Sequence, residues 1–165
     1  MPQHSGRVFP AAAVWAFIPV YLIHLLDERF WGVGTANWAA AHSPVYFTNY
    51  AWLWVNIPSA AVLSIVVVMV GRGVLPEWAV VALSIHLLLH TLMRVIGTLA
   101  FTSLSPGLVS GVLLCLPLAL WCLTRARRCM PNQALRWGAI AGVASFQPLW
   151  HGVLYPFLPG APPSA

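Results

Sequence analysis

The chain has 165 residues, of which 60% are hydrophobic and only 7% are charged, and its net charge is +5. Soluble domains carry about 25% charged residues, so this composition excludes soluble globular, disordered, coiled-coil and secreted disulfide-rich proteins. The eight basic residues are spread along apolar segments and form no phosphate-binding face, so we expect no nucleic-acid partner. The remaining class is an integral membrane protein surrounded by membrane lipids, with a single domain over residues 1–165.

Five apolar runs follow one another along the chain, and each is close to the roughly 20 residues needed to cross hydrocarbon. Backbone polar groups must be paired within their own segment inside a bilayer, so each run is predicted to be a helix. The predicted spans are 8–26, 50–70, 78–101, 104–124 and 137–157. The fold class is therefore all-α, an integral membrane five-helix bundle. No span presents a clear GxxxG face, so the oligomeric state stays open.

The positions of the arginines predict the orientation of these spans, because cytoplasmic loops are enriched in positive charge. Arg7 precedes the first span, and Arg72 lies between the second and third. The loop before the fifth span carries Arg125, Arg127, Arg128 and Arg136. The opposite side receives only Arg29. We therefore expect a cytoplasmic N-terminus and an outside C-terminus, in the cytoplasmic (plasma) membrane of a prokaryote.

Ionisable side chains within the first span are the first functional candidates, because such groups are costly at membrane depth. His24, Asp27 and Glu28 have the spacing i, i+3 and i+4, which puts them on one helix face at the outer end of the span. An ordinary interfacial charge cluster is the competing interpretation of the acidic pair.

The other candidates lie on the second, third and fifth spans. His86, His90 and Arg94 recur every fourth residue, which makes a polar stripe along the third span. Asn56 belongs to the second span and His151 to the fifth. With a rise of about 1.5 Å per residue, all of the candidates except His86 are expected in the outer half of the bilayer. For His86 and Asn56, a structural hydrogen bond between helices is the competing role.

Two short motifs also stand on these spans in a definite order. Segment 24–28 reads His-Leu-Leu-Asp-Glu, and segment 104–107 reads Leu-Ser-Pro-Gly. They resemble the two signatures of the HXXEE domain family of small membrane proteins, with Asp27 in place of the first Glu and Leu104 in place of Tyr in YxPG. His90 is the best match to the family's further histidine. The resemblance implies a multi-spanning architecture and a site at these residues, without implying a reaction.

The leading hypothesis for function is an intramembrane enzyme with a metal-binding His/carboxylate site. It would act on a lipid-soluble small molecule from the outer-leaflet side. Imidazole and carboxylate ligands suit Fe, Zn, Cu or Mn. The proposed ligands are His24, Glu28, His90 and His151, with His86 as a weaker addition.

Asp27, Glu28, Arg94 and Asn56 are the proposed catalytic groups, and Asp27 also supports or bridges the ligands. One alternative is a metal-free acid/base cyclase or isomerase of an isoprenoid-like lipid, with a carboxyl group holding the proton. Another is a protein without turnover that binds a ligand or conducts ions or protons along the stripe on the third span.

Overall fold

The computed structural model describes residues 7–42 and 49–146, and helix is the only regular secondary structure among these residues. The helices are α1 (Ala11–Phe30), α2 (Gly34–His42), α3 (Asn49–Gly71), α4 (Trp78–Phe101), α5 (Leu108–Cys129) and α6 (Asn132–Ala144). Helix α5 contains one π-helical turn, Gly111–Cys115. Four stretches are long and apolar enough to cross a membrane, namely α1, Trp52–Gly71 within α3, α4 and α5. The described residues therefore form an all-helical protein with the character of an integral membrane protein.

Helix α4 lies at the centre of the bundle, where it packs against α3, α5 and α6, while α1 packs against α2, α3 and α5. The contacts between helices are made by fully buried side chains such as Phe17, Val67 and Leu87. Large apolar residues also cover the outside, including Leu99 at 73% and Leu113 at 66% exposure. An outer surface of this kind suits lipid contact, because hydrocarbon solvates these side chains well.

One end of the bundle joins four helix termini. Arg7 Nη1 donates to the carbonyl of Gly71 at 3.0 Å, which ties the start of α1 to the end of α3. The Val8 amide donates to Glu77 Oε2 at 3.0 Å, just before α4. Arg125 Nε of α5 donates to the Val8 carbonyl at 2.5 Å. Three of the regions with predicted cytoplasmic charge therefore meet at the same end, and Arg125, predicted to lie in a loop, belongs to helix α5.

The helix boundaries differ from the predicted spans near the motifs. Helix α1 continues to Phe30, four residues beyond the predicted end at 26, because Glu28 has partners inside the bundle and does not need water. Helix α5 begins at Leu108 instead of 104. The preceding turn requires Gly107 at φ +82°, a conformation that ends helical continuity. The connection between α1 and α3 contains the short helix α2.

The predicted fifth span, 137–157, is described only in part. Its described portion belongs to α6, which begins at Asn132 and ends at Ala144. Residues 147–157, and His151 with them, lie outside the described residues. The structure consequently supports four membrane-suited helices within the described ranges, and a fifth span stays a prediction.

The expectation that no span has a GxxxG face was wrong. Gly138 and Gly142 form such a pair on α6, and both are buried. A Cβ atom at Gly142 would lie 2.6 Å from Ile85 Cβ and 2.7 Å from the Ala82 carbonyl. The pair thus allows α6 to approach the backbone of α4 closely, which is the usual effect of small residues between membrane helices. In this chain the motif serves an intramolecular contact.

Candidate functional site

Three ionisable side chains converge in the interior, two from α1 and one from α4. His24 and Glu28 are one helical turn apart, and His24 Nε2 lies 3.3 Å from Glu28 Oε1. His90 Nδ1 lies 3.4 Å from His24 Nε2 and 3.7 Å from Glu28 Oε1. Their exposures are only 0%, 1% and 5% for His24, Glu28 and His90. The structure therefore brings three of the predicted site residues together as one buried His-Glu-His group.

Ser110 on α5 connects Asp27 to this group. Its Oγ lies 2.5 Å from Asp27 Oδ2 and 2.9 Å from His24 Nδ1, and its amide donates to Asp27 Oδ2 at 2.8 Å. A carboxylate only accepts hydrogen bonds, so the Ser110 hydroxyl donates to Asp27 and accepts from Nδ1–H of His24. In this tautomer neutral His24 carries its lone pair on Nε2, which faces Glu28 and His90 and is available to bind a cation, whereas a proton on Nε2 would be donated to Glu28 Oε1 at 3.3 Å. Asp27 acts on the group through this chain of hydrogen bonds.

Glu28 also contacts a cationic side chain and an indole, in addition to the two histidines. Arg94, one turn after His90 on α4, donates from Nη2 to Oε1. The Trp52 indole N–H donates to Oε2 at 3.4 Å. Because the guanidinium lies against a buried carboxylate, it compensates the negative charge at this depth. The Arg94 Nε atom itself is buried without a hydrogen-bond partner among the described residues.

Gly107 covers the His-Glu-His group from the turn before α5. A Cβ atom at this position would lie 2.6 Å from Glu28 Cγ and 2.9 Å from His24 Cε1. Its backbone also has φ +82°, which disfavours other residues. The glycine is therefore required both by the turn and by the close approach of the two motifs.

His86 lies beside the group but outside it. Its ring stacks on that of His90 at 5.4 Å between centroids, and Nδ1 is 3.2 Å from Ser145 Oγ of the segment after α6. It does not belong to the described set of ligand atoms that lie within 4.8 Å of one another. The position of His86 fits the competing structural role.

Asn56 is buried on α3 one turn after Trp52. Its Nδ2 donates to the Trp52 carbonyl at 2.9 Å, so the amide is bound to its own helix. Its Oδ1 has no partner among the described residues. Asn56 therefore supports the helical turn that presents the Trp52 indole to Glu28. The remaining predicted ligand, His151, lies outside the described residues.

The comparisons with known proteins identify the family. Residues 15–122 match the family described as "Protein of unknown function with HXXEE motif". The chain belongs to the HXXEE family. No curated protein and no solved structure matches the chain. The family description assigns no activity.

In this HXXEE protein, segments 24–28 and 104–107 meet at one site. The first motif supplies His24, Asp27 and Glu28 from α1, and the second supplies Gly107, three residues before Ser110. The Asp at the first acidic position of the HXXEE motif reaches the Ser110 amide and hydroxyl instead of the His-Glu-His group. The second acidic position makes the direct contacts to both histidines.

Sequence reasoning missed two participants in the HXXEE site, Ser110 and Trp52. Both are neutral, and neither side chain is unusual in a membrane helix. Ser110 lies three residues after Gly107 of the Pro-Gly turn. This proximity in sequence is the one feature that could have pointed to it. Tryptophan is common at both interfaces of a membrane, so the sequence gives no sign that the Trp52 indole N–H reaches Glu28.

Proposed function

We propose that this HXXEE protein is a membrane-embedded, metal-dependent enzyme that acts on a lipid-soluble small molecule. His24, Glu28 and His90 are the proposed ligands of one divalent transition metal. The observation that carries the proposal is the convergence of His24 Nε2, His90 Nδ1 and Glu28 Oε1, which are 3.3–3.7 Å apart. Ligand atoms at about 2.0–2.1 Å from a tetrahedral ion lie about 3.3–3.4 Å from one another, which supports this assignment.

The kind of ligand set supports catalysis over a purely structural role for the metal. Two histidines and one glutamate occupy three positions of a tetrahedron and leave the fourth for water or substrate, as in known catalytic zinc sites. A metal bound there would lower the pKa of a coordinated water or polarise a substrate oxygen. The hydrogen bonds from His24 through Ser110 to Asp27 hold that imidazole in the tautomer needed for ligation.

Arg94 favours a second candidate function, metal-free acid/base chemistry on an isoprenoid-like lipid. Its guanidinium contacts Glu28 Oε1, the same oxygen that a metal would use. In that case Glu28 and Arg94 are a fixed ion pair, and the lone pair on His24 Nε2 accepts a proton from the substrate. The ion pair of Glu28 and Arg94 is compatible with both the metal-dependent and the metal-free function. The metal content of the purified protein distinguishes the two.

The orientation proposed for the enzyme follows from the charges at one end of the bundle. Arg7 and Arg125 make contacts at the end where α1 starts and α5 finishes, and Arg72 follows α3 there. If this end faces the cytoplasm, the HXXEE motif lies toward the outer leaflet. The fifth span, the outside C-terminus and the plasma membrane of a prokaryote belong to the same proposal.

The test is the metal content of detergent-purified protein, measured by elemental analysis before and after reloading with Zn, Fe, Mn or Cu. The variants are His24→Ala and His90→Ala. His42→Ala is the matched control, because His42 lies on α2, with its ring stacked on Trp38 at 4.9 Å and its Nδ1 at 2.8 Å from the Trp38 carbonyl.

We expect one metal ion per chain in the wild type and in the control, and loss of affinity by about 10–100-fold or more in both site variants. Equimolar metal that survives both site substitutions would overturn the ligand assignment. Absence of metal from every preparation after reloading would overturn the metal-dependent function and favour the acid/base candidate.

A further inference from the structure

A cavity of about 220 Å³ opens beside the His-Glu-His group, between the end of α1, helix α2 and the turn before α5. Gly107 lines it and also touches Glu28 and His24, so this residue forms the wall between the cavity and the group. The metal proposal does not use this cavity. We infer that it is a binding site for an apolar molecule whose polar end donates hydrogen bonds, either a hydroxyl or an ammonium group.

Asp27 supplies the acceptor for such a ligand. The carboxylate lines the cavity and is only partly buried. Within the described part of the chain, the carboxylate receives two hydrogen bonds, both from Ser110 and both at Oδ2. Among the described residues, no basic side chain lies within ion-pair distance of Asp27, whereas Glu28 has His24, His90 and Arg94. A carboxylate without a cationic partner attracts a donor or a positive charge and repels an anionic head group.

Ser105 supplies a second, independent indication of a polar ligand. The residue lines the same cavity and is only 2% exposed. Its Oγ is buried and has no hydrogen-bond partner among the described residues. A buried hydroxyl without a partner costs free energy, and a ligand hydroxyl or ammonium would remove that cost once a small movement of the turn exposes Oγ to the cavity.

The other walls of the cavity are apolar, which defines the body of the ligand. Trp31, Val33, Trp38 and Leu104 contribute large hydrophobic side chains. Trp38 is held in place, because its indole N–H donates to Ser103 Oγ at 3.2 Å. Small-molecule sites usually enclose about 300–1,000 Å³, so this cavity accommodates a head group and its first carbons. The remainder of the molecule would extend outward along the apolar surface.

This inference goes beyond the proposed function, because Gly107 separates the cavity from the His-Glu-His group, and the ligand site and the metal site can be tested separately. The probes are dodecylamine, dodecanol and dodecanoate, whose binding to the protein in nanodiscs is measured at equilibrium. The variants are Asp27→Asn, Ser105→Ala and Val33→Trp, of which the last fills the cavity. Val74→Trp is the matched control, because Val74 and Val33 are similarly exposed, at 65% and 62%, and Val74 lies outside the cavity, just after α3.

We expect the amine or the alcohol to bind to the wild type and to the control, and dodecanoate to bind at least about tenfold more weakly. Val33→Trp should weaken binding by about tenfold or more, and Ser105→Ala by a smaller factor. A larger loss for the amine than for the alcohol in Asp27→Asn identifies an ammonium ligand, and equal losses identify a hydroxyl.

Binding of dodecanoate as tight as that of the other two probes would overturn the inference. Unchanged affinity in both Asp27→Asn and Val33→Trp would overturn it as well. Because Val33 is exposed, Val33→Trp keeps the test decisive if Asp27→Asn does not fold. Metal content measured on the same preparations separates failure of this inference from failure of the metal proposal.

Discussion

Gly107 shows how a residue without a side chain can determine a site. The turn before α5 needs a positive φ, and the space above Glu28 and His24 leaves no room for a Cβ atom. Gly32 provides a natural comparison, because it also has a positive φ of +63° but would place a Cβ with nothing within 4 Å. A substitution at Gly32 would therefore cause backbone strain alone, whereas a substitution at Gly107 would cause both strain and a collision with the site.

Replacement of Gly107 by Ala should therefore destabilise the protein more than replacement of Gly32. We expect Gly32→Ala to lower the free energy of unfolding by about 1 kcal/mol through strain, and Gly107→Ala by about 3 kcal/mol or more through strain and collision. Equilibrium unfolding in detergent measures both values. Equal losses in the two variants would contradict the close approach of Gly107 to Glu28.

Ser110 should control metal affinity although it is not a proposed ligand. Ser110→Ala removes the acceptor of His24 Nδ1–H and a donor to Asp27, so we expect metal affinity to fall by about 10–100-fold. Ser84→Ala is the matched control, because this buried serine bonds to the Val80 carbonyl of its own helix and to Cys122 of α5, neither of which belongs to the proposed site. Competition with a chelator measures the affinity. Equal affinities in both variants would argue against the hydrogen-bond chain.

At the scale of elements, the first turns of α5 explain how the two motifs meet. The π-helical turn Gly111–Cys115 directly follows Ser110. One extra residue in a turn rotates the preceding residues by about 100° relative to a continuous α-helix. Ser110 consequently faces α1, while Ala119 and Cys122 further along α5 face the core. π-helical turns are often found at functional sites, and this one adjoins the proposed site.

The contact between α4 and α6 depends on Gly142 in the same way as the site depends on Gly107. Gly142→Ala should lower the free energy of unfolding by about 1–3 kcal/mol, because the added Cβ lies too close to Ile85 and to the Ala82 carbonyl. Val143→Leu is the control on the same turn, since Val143 is 47% exposed, and we expect a change within about 0.5 kcal/mol. A Gly142→Ala protein as stable as the control would show that α6 does not pack tightly on α4.

At the scale of the whole molecule, the distribution of native cysteines allows the proposed orientation to be tested. Cys115 and Cys122 are buried, whereas Cys129 is exposed at the arginine-rich end of the bundle. A membrane-impermeant maleimide therefore has a single native target among the described residues. The opposite end offers Asn37 on α2, an exposed residue whose side chain donates to the Val33 carbonyl just before that helix.

Cys129 should react in inside-out vesicles and stay unlabelled in right-side-out vesicles, because the arginine-rich end is proposed to be cytoplasmic. In a Cys129→Ser background, Asn37→Cys should show the opposite pattern. Labelling of both positions from the same side would exclude the arrangement of the spans, and a reversed pattern would exclude the proposed orientation.

The sequence alone determined the membrane class, the central helix and one face of the site. Hydropathy depends only on neighbouring residues, so the predicted span 78–101 coincides with α4, and the spacing of His24 and Glu28 already placed them on one side of α1.

Only the tertiary structure decided which groups complete the site. His86 and His90 share a face of α4, yet His90 alone reaches Glu28, because the packing of α4 against α1 sets which turn faces the motif. Ser110 lies 86 residues from His24 and bears no charge, so no sequence pattern near either residue indicates their contact. That contact depends on the path of the chain through the turn at Gly107.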